Sequence, residues 1–405
     1  MIAGMIDIAM AVAGIAVAAL LFWPRLAKAK LWRATVTPLA SIIGSGFLIL
    51  GPILTDTFGT WGIVAMALLC FAGYAFGSAI RYNIARLDEP DRDTDLANRV
   101  EGIASWALAF AYVISVAYYL NLFGAFAARI FGAPSDILGR AITTGVYLVI
   151  LAAGLTKGFS LLERMEQVTV SIKLVVIAAL IAALAVHAGV EWNGHHLETS
   201  GMKLGFIGSV QLMFGLIVTV QGFETSRYLG SHYSPDERQR SMRLSQWIAT
   251  GIYLAYVALL AVSFESGSFT LGETAIIDMM RGVSVVLGPL LILAALSAQF
   301  SAAVADTNGS GGLVRELTQG KVGGKTTYLI LVGVGLAMTW LANVFEIIAY
   351  ASRAFAFYYA AQSLLAALRA WYGGARDGRD RRVLLFGALA VLGAAAAVFG
   401  TSAEG

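Results

Sequence analysis

Charge is what this chain has least of. Of 405 residues, 28 are Lys or Arg and 25 are Asp or Glu, which makes 13% charged, against roughly 25% in a soluble domain. With 58% hydrophobic residues and a mean hydropathy of +0.76, the apolar surface exceeds what a soluble core of this size could hide. The single cysteine, Cys70, excludes an intramolecular disulfide and, inside an apolar run, reads as packing. None of the four histidines lies deep in an apolar run, which argues against an embedded catalytic cluster. His187, His195 and His196 fall in or beside an outer loop with Glu191 and Glu198, where solvated histidines are the default over a metal site. No segment is long or polar enough for a soluble output domain. The basic residues sit in short loops, and nothing suggests a nucleic-acid partner.

What the chain does have is apolar runs. About 20 apolar residues span a bilayer, and that rule gives twelve spans: about 2–23, 37–54, 60–80, 103–131, 140–156, 166–188, 205–226, 243–264, 282–305, 326–343, 346–369 and 383–400. The expected fold class is an all-α polytopic membrane protein. The first segment lacks the basic leader of a signal peptide, and Arg25, Lys28, Lys30 and Arg33 follow it instead. Holding that cluster in the cytoplasm and alternating onward puts Arg129, Arg140, Lys203 and Arg281 outside. Lys173 and Arg353 fall within spans, and the remaining 22 of 28 basic residues lie inside. This bias predicts both termini on the outer side.

Two of the spans are interrupted by glycine. The second contains Thr37-Pro-Leu-Ala-Ser-Ile-Ile-Gly-Ser-Gly-Phe-Leu-Ile-Leu-Gly-Pro52, and the seventh contains Phe214-Gly-Leu-Ile-Val-Thr-Val-Gln-Gly-Phe-Glu-Thr225. A broken helix frees backbone N–H and C=O groups that hydrocarbon cannot satisfy, so a break is expected where it lines a cavity or meets a ligand. Five spans separate the two breaks. Five is odd, so a five-span repeat returns inverted, which is the plan of inverted-repeat transporters. The expected division is an extra span with its basic loop at 1–34, a first half at 35–190, a second half at 203–370, and a basic loop with a C-terminal span at 371–405.

The candidate substrate-binding residues are therefore Ile42, Ile43, Gly44, Ser45, Gly46 and Phe47 at the first break, and Val218, Thr219, Val220, Gln221 and Gly222 at the second. Glycines permit unwound geometry. The half-helix after Gly46 presents free N–H groups and a positive dipole end suited to a carboxylate; small-residue helix packing is the plainer alternative. Lys173 lies about 10 Å into the sixth span at 1.5 Å per residue, where an ammonium is a functional-site hypothesis. It reads as a coupling residue, either binding and releasing a proton or holding broken-helix carbonyls as an ammonium, with a snorkelling lysine as the alternative. Glu224, Arg353 and Glu346 are candidates for gating or an ion pair: Glu224 with Arg227 or a neighbouring span, Arg353 with Glu346 or Asp306. Tyr112, Tyr118 and Tyr119 read as packing or an interfacial belt before they read as site residues.

The motifs resemble a known family. Ser41-Ile-Ile-Gly-Ser-Gly-Phe47 is similar to the Ile-Gly-Ser-Gly-Ile-Phe signature of the amino acid–polyamine–organocation (APC) superfamily. Gly222-Phe-Glu224 followed by Ser234-Pro-Asp-Glu-Arg-Gln-Arg240 resembles its Gly-Phe-Glu and proline-containing basic loop. Gln167-Val-Thr-Val-Ser-Ile-Lys173 is similar to its lysine helix, and Ser301-Ala-Ala-Val-Ala-Asp-Thr-Asn-Gly-Ser310 to its late span. The resemblance implies the 5+5 inverted repeat of the leucine-transporter-type fold and a substrate among amino acids or related amines. Its carboxylate would lie on the Gly-Ser-Gly amides and its ammonium on carbonyls at both breaks. The lysine implies sodium independence, with proton coupling or exchange and no cofactor beyond the proton. Val218-Thr-Val220 stands where the family often has an aromatic gate, and the extra N-terminal span is unusual. A bacterial inner membrane is the expected location. The same fold carrying an inorganic ion or another small solute is the alternative.

Overall fold

The computed structural model describes all residues except 1, 45, 87–93, 133–134, 157–159, 193–200, 230–232, 373–378 and 404–405. Among the described residues it is helical with no strand. In chain order the helices are α1 (Ile2–Leu21), α2 (Pro24–Ala27), α3 (Lys30–Ile42), α4 (Gly46–Phe58), α5 (Gly62–Ile84), α6 (Asp95–Ala128), α7 (Asp136–Thr156), α8 (Ser160–Trp192), α9 (Phe206–Gly215), α10 (Pro235–Ser263), α11 (Ala275–Arg281), α12 (Leu287–Leu317), α13 (Gly324–Leu341), α14 (Val344–Tyr372) and α15 (Arg379–Phe399).

Every expected span coincides with helix, and the chain is an all-α polytopic membrane protein. Seven helical stretches among the described residues are long and apolar enough to cross a membrane. Large apolar side chains such as Phe71, Phe206 and Leu341 point outward from the bundle. That surface would be untenable in water and is ordinary in lipid.

Local chemistry sets the helix ends. Ser234 caps α10 in a reciprocal box: its Oγ accepts from Glu237 N at 3.3 Å and Glu237 Oε2 accepts from Ser234 N at 2.9 Å, with Pro235 at the first position. Asn343 and Glu346 make the same exchange at α14, both bonds 2.8 Å. Glu346 is thus occupied by a helix cap rather than by Arg353.

α6 is the axis of the bundle, with two thirds of its apolar window buried (67%) against about a fifth for α1 and α15 (22% each). It packs along α12 and α14, while α1 lies on α8 and α15 on α14. Several helices outrun their expected spans, among them α6, α10, which begins at Pro235 rather than 243, and α12. α6 begins at Asp95 rather than 103, and α12 continues to Leu317 rather than ending at 305. The polar, glycine-rich end of α12 stays helical because its small residues face α6. A Cβ on Gly309 would meet the Tyr112 ring at 2.9 Å, and Ser310 Oγ donates to Ala109 O at 3.3 Å.

Candidate transport site at the two breaks

Both glycine interruptions are real breaks. α3 ends at Ile42 and α4 begins at Gly46. α9 ends at Gly215 and gives way to short 3-10 turns at Ile217–Val220 and Phe223–Tyr228, separated by Gly222 at φ +112°. That left-handed value is open to glycine and strained for other residues. The breaks also touch. A Cβ on Gly46 would lie 2.9 Å from Thr219 Cα, and one on Gly222 would lie 2.5–2.6 Å from Ser41 and Ile42. Glycine is required here because backbone meets backbone. Ser45 falls outside the described residues; Ile42, Ile43, Gly44, Gly46, Phe47 and Val218 through Gly222 are all buried at this junction.

Side chains take several of the backbone groups that the breaks free. Lys173 Nζ donates to Ala40 O at 2.8 Å and is buried, which excludes the snorkelling alternative. It shares a cavity of about 10 Å³ with Gly44, Phe47 and α12. Tyr253 Oη stands 2.8 Å from Ile42 O and 2.7 Å from Thr219 O, joining the breaks through one hydroxyl. On α14, Ser352 Oγ donates to Gly215 O at 2.7 Å and accepts from Val218 N at 3.0 Å. Gln221 Nε2 donates to Tyr119 Oη at 2.6 Å. Glu224, fully buried, accepts from Gly222 N at 2.9 Å and from Tyr359 Oη at 3.0 Å.

Several expectations are corrected by these contacts. Of the two partners expected for Glu224, it takes the neighbouring span, through Tyr359 of α14, and not Arg227. It folds back on its own break, and Arg227 ion-pairs instead with Glu101, whose other oxygen is 3.6 Å from Arg369. Arg353 pairs with neither Glu346 nor Asp306. Its guanidinium is exposed, and Nε and an Nη donate to Ala397 O and Val398 O at 2.8 and 3.3 Å, capping the last turn of α15 where a cation complements the helix dipole. For Tyr112, Tyr118 and Tyr119 the packing alternative holds rather than the interfacial belt. All three are buried, and Tyr118 and Tyr119 pack on the breaks. No cluster of three or more metal-binding side chains occurs among the described residues; His195 and His196 lie outside them, and the ring of His187 is 6.1 Å from that of Phe264. Tyr253, Ser352 and Tyr359 escaped the sequence reading. Each is a polar tip in an apolar span, and that is the only local signal they give.

The ends of the bundle differ. At one end Arg227, Glu101 and Arg369 join the second break to α6 and α14, Lys30 meets Glu237 at 2.8 Å, and Arg81 reaches Gln246. At the other end two clefts open. One of about 580 Å³ is lined by Asp56, Lys203, Glu346 and Arg353; one of about 320 Å³ is lined by Arg129, Arg140 and Asp278.

Two broken helices, sealed backbone to backbone inside a polytopic bundle and held by an intramembrane lysine, define a transporter architecture. A family model described as APC superfamily transporter matches residues 24–400, and the chain belongs to that superfamily. It is 42% identical over 351 residues, 85% of each chain, to a protein of Aquifex aeolicus (strain VF5) described as an uncharacterized protein. The matched family region begins at residue 24, after α1.

Proposed function

We propose that this transporter carries amino acids or related small amines by alternating access at the two breaks, without sodium and with a proton or a second solute as counterpart. The observation that carries this reading is the hydroxyl of Tyr253. It faces two buried carbonyls, Ile42 O and Thr219 O, with a single proton to give. An ammonium brings three donors and a charge, so an amine that parts the breaks satisfies both carbonyls better than the tyrosine does. The N-terminal end of α4 then offers its N–H groups and dipole to the solute's carboxylate. Lys173, fixed on Ala40 O, holds the broken backbone at the first break. The basic-residue bias supports an inner membrane with both termini outside, which turns the two clefts toward the exterior.

Uptake of labelled amino acids and amines into proteoliposomes, with and without a pH gradient, tests this directly. Accumulation that follows the gradient is expected. If folded protein moves none of them, the substrate reading falls. The buried valines Val218 and Val220, which make the lining narrow and apolar, favour small inorganic or organic ions as the next panel.

A further inference from the structure

Two carboxyl groups lie in the middle of the bundle, and the reading above uses neither as a carrier. Glu224 sits on the turn after the second break and Asp306 on α12, and both are buried. Glu224 Oε2 has its two donors, but Oε1, equally buried, has none among the described residues. The Tyr359 ring is stacked between Phe76 and Phe223, with centroids 5.2 Å away on each side, so the donor to Oε2 is fixed. Asp306 Oδ2 contacts Ser115 Oγ on α6. The two carboxyls lie within electrostatic range of each other, and Tyr112 and Tyr119 of α6 interact with both. Tyr358 of α14 and Tyr228 complete the groups facing Glu224. Among the described residues no Lys or Arg ion-pairs with either carboxyl. α3, α5 and α10, which also pack on the Glu224 turn, contribute no charged hydrogen-bond partner.

Ser115 indicates where a proton sits. Its Oγ is 3.0 Å from Tyr112 O as well as in contact with Asp306 Oδ2. A carbonyl only accepts, and a serine hydroxyl has one proton. Each contact is a full two-centre bond when Ser115 donates to Tyr112 O and accepts from a protonated Asp306; with Asp306 ionised, the one hydroxyl proton is shared between two acceptors. An ionised Asp306 would compete for that one proton, and would face Glu224 in the buried interior, where among the described residues no Lys or Arg pairs with either.

We propose that Asp306 is a proton carrier of the transport cycle, holding one proton while the second break keeps Glu224 close and releasing it when that break moves away. The logic is electrostatic: a neighbouring carboxylate favours the protonated form, and its departure, with water entering, removes that preference. The proton leaves Asp306 Oδ2 for the admitted water, and no other bond changes. This rests on the reading of a proton-coupled transporter, but its first test does not need a substrate.

Full-length protein in lipid bilayers at neutral pH should show the infrared C=O stretch of a protonated carboxylic acid. That band should lose intensity in Asp306→Asn, remain in the capping variant Glu346→Gln, and change frequency in Ser115→Ala, which removes the acceptor. Ser115→Ala also decides the question if Asp306→Asn fails to fold. A wild-type spectrum without the band, or a band unaffected by both Asp306→Asn and Ser115→Ala, overturns the proposal. In proteoliposomes Asp306→Asn should lose pH-gradient-driven accumulation while solute-for-solute exchange stays within about threefold. Equal loss of both would make Asp306 structural and would also overturn it. If wild type transports no amine, the infrared comparison still decides on Asp306 and the substrate reading alone fails.

Discussion

Tyr253→Phe removes one hydroxyl and leaves the ring, so it isolates what joins the breaks. In the sealed state Ile42 O and Thr219 O are buried and share that hydroxyl at 2.8 and 2.7 Å. Leaving a buried acceptor without a donor costs about 1–3 kcal/mol. When the breaks part, water reaches the same carbonyls and the cost disappears, so it falls on the sealed state alone. The opening equilibrium should therefore shift by about 5- to 150-fold. The chain carries its own reporter. Cys70, the single cysteine, lines a narrow cleft with Ile42, Val220 and Tyr253 and is buried. With closing fast relative to modification, the rate of maleimide labelling follows the population of the open form. Tyr253→Phe should label at least about fivefold faster than wild type. Tyr256→Phe is the control: its hydroxyl is 3.4 Å from Leu48 O, too long for a strong bond, and its rate should change by less than about twofold. Folded Tyr253→Phe protein that labels within twofold of wild type would refute the argument, because it would mean that the shared hydroxyl does not hold the breaks together.

Three further outcomes follow from the same contacts. Lys173→Arg keeps the charge but adds bulk where about 10 Å³ is free, so a loss of about 1–3 kcal/mol from overpacking and a lower melting temperature are expected; unchanged stability would mean that only the charge matters. Gly46→Ala drives a methyl group to 2.9 Å from Thr219 Cα and should abolish uptake, whereas Gly251→Ala, with nothing within 4 Å, should be neutral or stabilise α10 by up to about 1 kcal/mol; thermal melts and uptake separate the two. Glu101→Gln withdraws the carboxylate between Arg227 and Arg369, whose side chains are 4% and 6% exposed. With Glu101 itself 28% exposed, the loss should fall at or below the low end of the about 3–5 kcal/mol of a fully buried pair, with partial recovery in Glu101→Asp, read from thermal denaturation in detergent.

The breaks were legible in the sequence because their cause is local. Glycine runs inside apolar spans are a one-dimensional signal, and so is a lysine among isoleucines and valines. The partners were not legible, because each is brought in from elsewhere in the chain: Tyr253 lies 211 residues from Ile42, and Ser352 lies 134 from Val218. Asp306 was missed as a buried group because the apolar run ends beside it, whereas small residues packed on α6 carry the helix onward. Arg353 was misassigned for a different reason. Sequence offers opposite charges as partners and hides the carbonyls at a helix end, which become acceptors only where α15 stops against α14.

These misreadings share a physical cause that bears on how the protein works. Every break inside a bilayer creates acceptors and donors that something must satisfy. Here Lys173, Tyr253, Ser352 and Glu224 do so, which explains why polar residues in otherwise apolar spans converge on one junction. A solute entering that junction therefore does not fill an unmade set of bonds. It competes with side chains already bound to the same carbonyls and amides, and its affinity is the difference between its contacts and theirs. A solute that bonds the freed backbone no better than these side chains do gives the breaks no reason to part. One with more donors, or with a charge, does.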